Sequence, residues 1–257
     1  MKSIVSPAAE ARLAAAETLL RGGKVGQAID ALRAFIAASP RHAGAHYQLA
    51  VALLASGDQA GAEQALRASL KLNPNQPNAA VRLANILTAR RDAEEAVNLL
   101  TPFAPRSTDI ALLTVYAMAL KTVGRAEEAT KVYERAVEVA PTSGIAEHNL
   151  AGAYGDAERF AESNEATARA FAKGLDAPET WLIHGRALQG LGDFDGAEVA
   201  YRQAILRRQN YADAHAELTQ LIWMRTEDVE QSLVTLNAGL ATQNHRRSAQ
   251  YRKVAVP

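Results

Sequence analysis

Hydrophobic positions along this chain fall into pairs of short amphipathic blocks, and the pairs recur. Ala28, Ala62 and Ala96 are 34 residues apart, each followed four residues later by Leu32, Leu66 or Leu100. The series continues as Ala129 with Tyr133, Ser163 with Thr167 and Ala197 with Tyr201, at spacings of 33, 34 and 34. Twelve residues before each of these small residues stands another: Ala16, Ala50, Ala84, Ala117, Ala151 and Gly185. Leu49, Leu83, Tyr116, Leu150 or His184 precedes that second series, and Leu19, Leu53, Leu87, Leu120, Tyr154 or Leu188 follows three residues after it. Residues three and four apart share a helix face. Each period therefore predicts two helices meeting through one small residue on each. Pro40, Pro74 and Pro141 stop the second helices, because proline cannot donate the helical bond and restricts its predecessor.

The turn inside each unit has its own signature. GLGDFDGAEVAYRQAI, from Gly190 to Ile205, resembles a phosphate-cradling loop until it is set beside ASGDQAGAEQALRASL upstream. Gly57, Gly124 and Gly192 share one register, where the first helix ends and a glycine takes positive φ. Asp58 and Asp193 follow as acidic caps of the second helix. A phosphate loop would need a preceding strand and a following Lys-Ser/Thr, and neither is present.

This 34-residue helix–turn–helix pattern resembles the tetratricopeptide repeat. The sixth unit shows it best, with Trp181, His184, Gly185, Leu188, Ala197, Tyr201 and Ala204 in the signature positions. Six units extend over residues 9 to 209, with a degenerate seventh pair from about 210 to 243. The resemblance implies an all-α fold, a right-handed α-solenoid of antiparallel helix pairs. The expected organisation is an N-terminal extension (1–8), the solenoid (9–243) and a basic tail or linker (244–257) carrying Arg246, Arg247, Arg252 and Lys253.

Three departures from the pattern carry expectations. In the third unit Arg91 replaces the turn glycine, and Pro102 and Pro105 predict a bend between residues 101 and 109. In the fifth, Gly152 and Gly155 fall within the first helix, which predicts repeat drift with a weakened helix that frays, or room for a close-lying partner backbone. The seventh pair places Gln231 where a small residue belongs and Trp223 and Met224 at the end of its first helix, as in a terminal cap.

Composition narrows the function classes. Apolar residues make up 48% of the chain but aromatic ones only 5%. Its Ala and Leu content favours helix. Lys plus Arg equals Asp plus Glu at 28 each, so no global field favours nucleic acid or anionic lipid. With no cysteine there are no disulfides, thiolates or cysteine-based zinc sites. No apolar run reaches the roughly 18 residues of a membrane span, and the N-terminus lacks the apolar core of a signal peptide. A cytoplasmic protein is expected.

Catalytic chemistry is not expected either, and neither is a cofactor. His42 and His46 have a metal-capable helical spacing but no third ligand near in sequence. His215, Glu217 and His245 mimic a two-histidine, one-carboxylate iron site, yet residues two apart on a helix point about 200° apart. His184 reads as a buried, hydrogen-bonded core residue. No zincin, nucleophile-elbow, Walker or dinucleotide motif is present.

Function is therefore expected on a surface. The family resemblance implies that first helices line an inner face, which places Tyr47, Gln48, Arg82, Asn85, Met118, Lys121, His148, Asn149, Arg186 and Gln189 there. As a set they offer cations and amides with no carboxylate before Asp156. Asn and Gln can pair with a peptide's donor and acceptor together, and Arg can fork onto a carboxylate. The expected activity is a non-catalytic scaffold holding a partner protein or peptide of acidic character. The carboxylate clamp of some family members, which needs Lys and Asn, is not matched: Leu13 and Tyr47, then Glu17 and Val51, hold those places. A second expectation rests on QLIWMRTEDVEQSL, which resembles the junction in bacterial proteins whose repeats continue into an enzyme, including iron and 2-oxoglutarate oxygenases. On that reading the chain recruits substrate for a catalytic domain beyond residue 257.

Overall fold

A computed structural model describes residues 7–226 together with Val234. Every regular element among the described residues is helical. The chain divides into two compact units, Met1–Glu128 and Ala129–Pro257.

In the first unit, α1 (Pro7–Arg21) packs on α2 (Val25–Ala38), and α3 (Ala43–Ser56) packs on α2 and on α4 (Gln59–Leu72). Then come α5 (Pro77–Ala89), α6 (Ala93–Leu100) and α7 (Ile110–Thr122). The helices α2 and α4 end two residues before Pro40 and Pro74, as the missing donor requires. The exception is α6, which stops after eight residues and gives way to a 3₁₀ turn at Ala104–Arg106. Pro102 and Pro105 produce the bend expected there. Leu100 and Ala104 stay buried, so the core continues beneath the interruption.

The second unit holds most of α8 (Ala126–Val139), followed by α9 (Gly144–Asp156), α10 (Phe160–Ala172), α11 (Pro178–Gly190), α12 (Phe194–Arg207) and α13 (Ala212–Thr226). Here α9 packs on α10, α10 on α11, α11 on α12 and α12 on α13. The fraying expected of α9 does not occur. A Cβ added at Gly152 would meet Ile183 Cδ1 at 3.6 Å, and one at Gly155 would meet Ser163 Oγ at 3.5 Å. These are ordinary side-chain contacts, and among the described residues no backbone of this chain approaches either glycine closely. The second helix of the seventh pair, with Gln231, and the tail from 244 lie outside the described residues.

The turn within each pair follows the register read from the sequence. Gly57, Gly124 and Gly192 have φ of 86°, 82° and 83°. Arg91 and Glu158 take the same left-handed conformation at 70° and 57°, in the third and fifth units. Asp58 accepts from the Gly61 amide at 2.8 Å and Asp193 from the Gly196 amide at 2.9 Å. Any Cβ at Gly61 or Gly196 would collide with the capping carboxylate. The glycine–aspartate stretches are thus helix junctions.

The small-residue positions are the contact points of the helix pairs. Ala16, Ala28, Ala50, Ala62, Ala84, Ala96, Ala117 and Ala151 are all buried. Ser163 takes the place of an alanine and satisfies its hydroxyl by donating to Ala151 O at 2.9 Å. At Gly185 the fit is tighter still: an added Cβ would lie 2.5 Å from Cε1 of the buried Tyr201.

Candidate partner-binding surface

In the first unit most inner-register side chains are exposed. Arg82, on α5, is exposed and donates from Nε to the Tyr47 hydroxyl of α3 at 3.1 Å. Its guanidinium carbon lies 5.9 Å from the Tyr47 ring centroid, within cation–π range. Asn85, one turn further along α5, is exposed, as are Met118 and Lys121 on α7. Gln48 is half-buried: Nε2 donates to Glu17 Oε1, and its own Oε1 is buried with no partner.

The second unit ties its counterparts inward. His148 Nδ1 shares a hydrogen bond with Thr180 Oγ1 at 2.9 Å, and burial pushes the imidazole below its ordinary pKa. Gln189 accepts from the Tyr201 hydroxyl at 2.7 Å. Asn149, beside His148 on α9, is half-buried. Arg186 is exposed but forms an ion pair with Glu217 of α13 at 2.6 Å. The expectation of a surface without carboxylates therefore needs correction in both units. Glu17 and Glu217 reach it from neighbouring first helices, each 31 residues from the side chain it meets.

The histidines are occupied by local structure. His42 caps α3, its Nδ1 accepting from the Ala45 amide at 3.0 Å. His46 Nε2 donates to Pro40 O at 2.9 Å, and His215 Nε2 donates to Gln209 O at 2.8 Å. The last two share one repeat register and make the same bond six residues back. Glu217 pairs with Arg186 instead of joining His215, and His245 lies outside the described residues. His184 is half-buried, less than expected. Its Nδ1 bonds Thr167 Oγ1 at 2.9 Å, the ring makes T-shaped contacts with Phe171 and Trp181, and burial lowers its pKa. Among the described residues no cluster of three or more His, Asp or Glu side chains could hold a metal ion. None of the described helices is long and apolar enough to cross a membrane.

Glu147 escaped the sequence reading. It stands 34 residues before Trp181, in the same core register, and is only 1% exposed. Lys173 Nζ reaches it at 2.6 Å and Arg169 Nε at 3.0 Å, both from α10. The place of Glu147 on the core-facing side of α9, four residues before the buried Ala151, was the available signal.

Comparison with known proteins agrees with this architecture. Models described as tetratricopeptide repeats match residues 13–77, 53–118, 110–143 and 178–211, together more than half of the chain. Among solved structures, PilW, a widely conserved type IV pilus biogenesis factor, is similar over 84% of this chain and 99% of its own, with a TM-score of 0.68 at 14% identity. PilF of Pseudomonas aeruginosa matches over 83% and 97%, with a TM-score of 0.67 at 16% identity. YrrB, a repeat protein with an unusual peptide-binding site, matches over 74% and 98%, at 0.60 and 15%. No curated protein matches the sequence. With its six-fold helix-pair register, its left-handed turns and these matches, the chain belongs to the tetratricopeptide-repeat family.

Proposed function

We propose that this chain is a non-catalytic scaffold that holds a segment of a partner protein against the first helices of its first unit. The observation that carries this reading is the exposure pattern on α5 and α7. Residues facing the second helices, such as Ala84 and Ala117, are buried, while Arg82, Asn85, Met118 and Lys121 stand in solvent. Met118 is 48% exposed, a flexible apolar side chain suited to packing against varied partners. Asn85 can give a partner backbone both a donor and an acceptor. The likeness to YrrB supports the reading, since that protein is described by its peptide-binding site.

Selection from a random peptide library displayed on phage, using the full chain as bait, tests the proposal. Selected peptides should lose affinity on the order of tenfold for the Asn85→Ala, Met118→Ala double variant, the scale of one or two lost contacts. Helix content by circular dichroism should not change. Peptides that bind this variant as tightly as wild type, or a library that yields no binder, would overturn it.

A further inference from the structure

The zero net charge of the chain conceals two halves of opposite sign. Residues 1–128 carry 14 Lys and Arg against 11 Asp and Glu, and residues 129–257 carry 14 against 17. The arginines of the two units are also used differently. In the second unit, Arg159, Arg169, Arg186, Arg202, Arg207 and Arg208 each pair with a carboxylate. Even the exposed inner-register cation there, Arg186, is already matched by Glu217.

Arg82 is the contrasting case. It is exposed, and no carboxylate among the described residues pairs with it; its one hydrogen-bond partner is the neutral Tyr47 hydroxyl. That bond uses Nε and leaves both terminal NH₂ groups open. The ring beneath restrains the guanidinium, so less rotamer freedom is lost when a ligand binds. The nearby Arg67 and Arg90, by contrast, are held by Glu95 and Glu63.

We infer that Arg82, steadied by Tyr47, is the receptor for an Asp or Glu side chain of the partner segment. The acidic part of that segment then lies over α3 and α5 of the first unit, and Arg186 does not take part in its recognition. This rests on the scaffold reading above and adds the chemistry and position of the anchoring contact. A planar guanidinium whose two terminal NH₂ groups form a free edge binds a carboxylate in forked geometry, which an ammonium cannot reproduce. Asn85 lies one turn along the same helix, placed to meet the partner's main chain beside its acidic side chain.

The experiment uses the full chain and peptides selected from the phage library. Selected sequences should be enriched in Asp or Glu. Arg82→Glu should weaken their binding by on the order of ten- to a hundredfold, the size of a charge-assisted hydrogen bond. Arg82→Lys should recover only part of that loss, and Tyr47→Phe should cost less than Arg82→Glu. The control is Arg33→Glu, the same charge change at an exposed, unpaired position on α2; it should leave binding within about twofold, as screened surface charge does. Equal losses from Arg33→Glu and Arg82→Glu would reduce the effect to net charge and overturn the inference. Peptides without acidic enrichment that ignore Arg82 yet require Asn85 and Met118 would overturn it while leaving the scaffold reading in place. A library that yields no binder would overturn both.

Discussion

At the scale of single residues, the helix pairs depend on the space left by side chains that are absent. Gly185 and Gly152 both lie within helices of the second unit, but their surroundings set opposite outcomes for the same substitution. Gly185→Ala gains helix propensity of roughly 0.5–1 kcal/mol. It also drives a Cβ to 2.5 Å from the Tyr201 ring, which is fully buried and hydrogen-bonded to Gln189. Overpacking of this kind costs about 1–3 kcal/mol, so the clash wins. Gly152→Ala meets only Ile183 Cδ1, at 3.6 Å, and keeps the propensity gain. Urea unfolding should therefore place Gly185→Ala below wild type and Gly152→Ala above it. The same order for both variants would show that the contact geometry does not govern these positions.

At the scale of elements, α9, α10 and α11 are joined by polar side chains buried among apolar ones. Glu147 lies almost wholly inside, whereas Lys173 and Arg169 retain 22% and 45% of their side-chain exposure. Burial makes the carboxylate the expensive member, and the cations can rehydrate if it is removed. Glu147→Leu, which installs the residue that Leu113 supplies one unit earlier, should be close to neutral or stabilising. Lys173→Met leaves the buried carboxylate short of its nearest cation and should cost on the order of 3 kcal/mol. Thermal melting of the two variants separates these outcomes; a large loss from Glu147→Leu would mean that the ion cluster itself stabilises the unit. The same three helices carry His148 and His184, both held below the ordinary histidine value of 6.5 by burial. Near neutral pH both are uncharged in folded and unfolded chain alike. As pH falls through about 6.5 the unfolded state takes up protons first, so stability declines toward acid. His184→Leu, the residue of the matching Leu150, should flatten that decline. The Thr167 hydroxyl remains satisfied by Asn164 O at 2.8 Å. An acid dependence unchanged in this variant would exclude His184 as a source.

At the scale of the whole molecule, successive helices within a unit cover one another's apolar edges. The described end of the chain shows this most directly. Leu218, Leu221 and Ile222 of α13 join Leu182, Ala197 and Tyr201 in one buried cluster, with Trp181 and Tyr211 packed at its margin. Repeat arrays need such a terminal cover to remain soluble. A chain ending before Ala212 should unfold at lower temperature and self-associate, measured by melting and by light scattering. A monomeric truncation as stable as the full chain would show that α13 has no capping role.

The repeat register, the two helices of each unit, the proline stops and the glycine–aspartate junctions were legible in the sequence. They are local: spacing, φ preference and a missing amide donor act within a few residues, and the spacing recurs six times. The bend after α6 was legible for the same reason, since Pro102 and Pro105 remove bonds wherever the chain is placed. What the inner-register side chains are free to do was decided only by tertiary structure. Arg82 and Arg186 both fall on the inner face of a first helix and read alike, yet one rests on a neutral hydroxyl and the other on Glu217, 31 residues away. Gln189 was spent on Tyr201, His148 on Thr180, and Glu147 on two cations from α10. Periodicity fixes which face a residue occupies, because that follows from helix geometry. The partner it finds depends on side chains delivered by other helices, and no spacing along one helix encodes that choice.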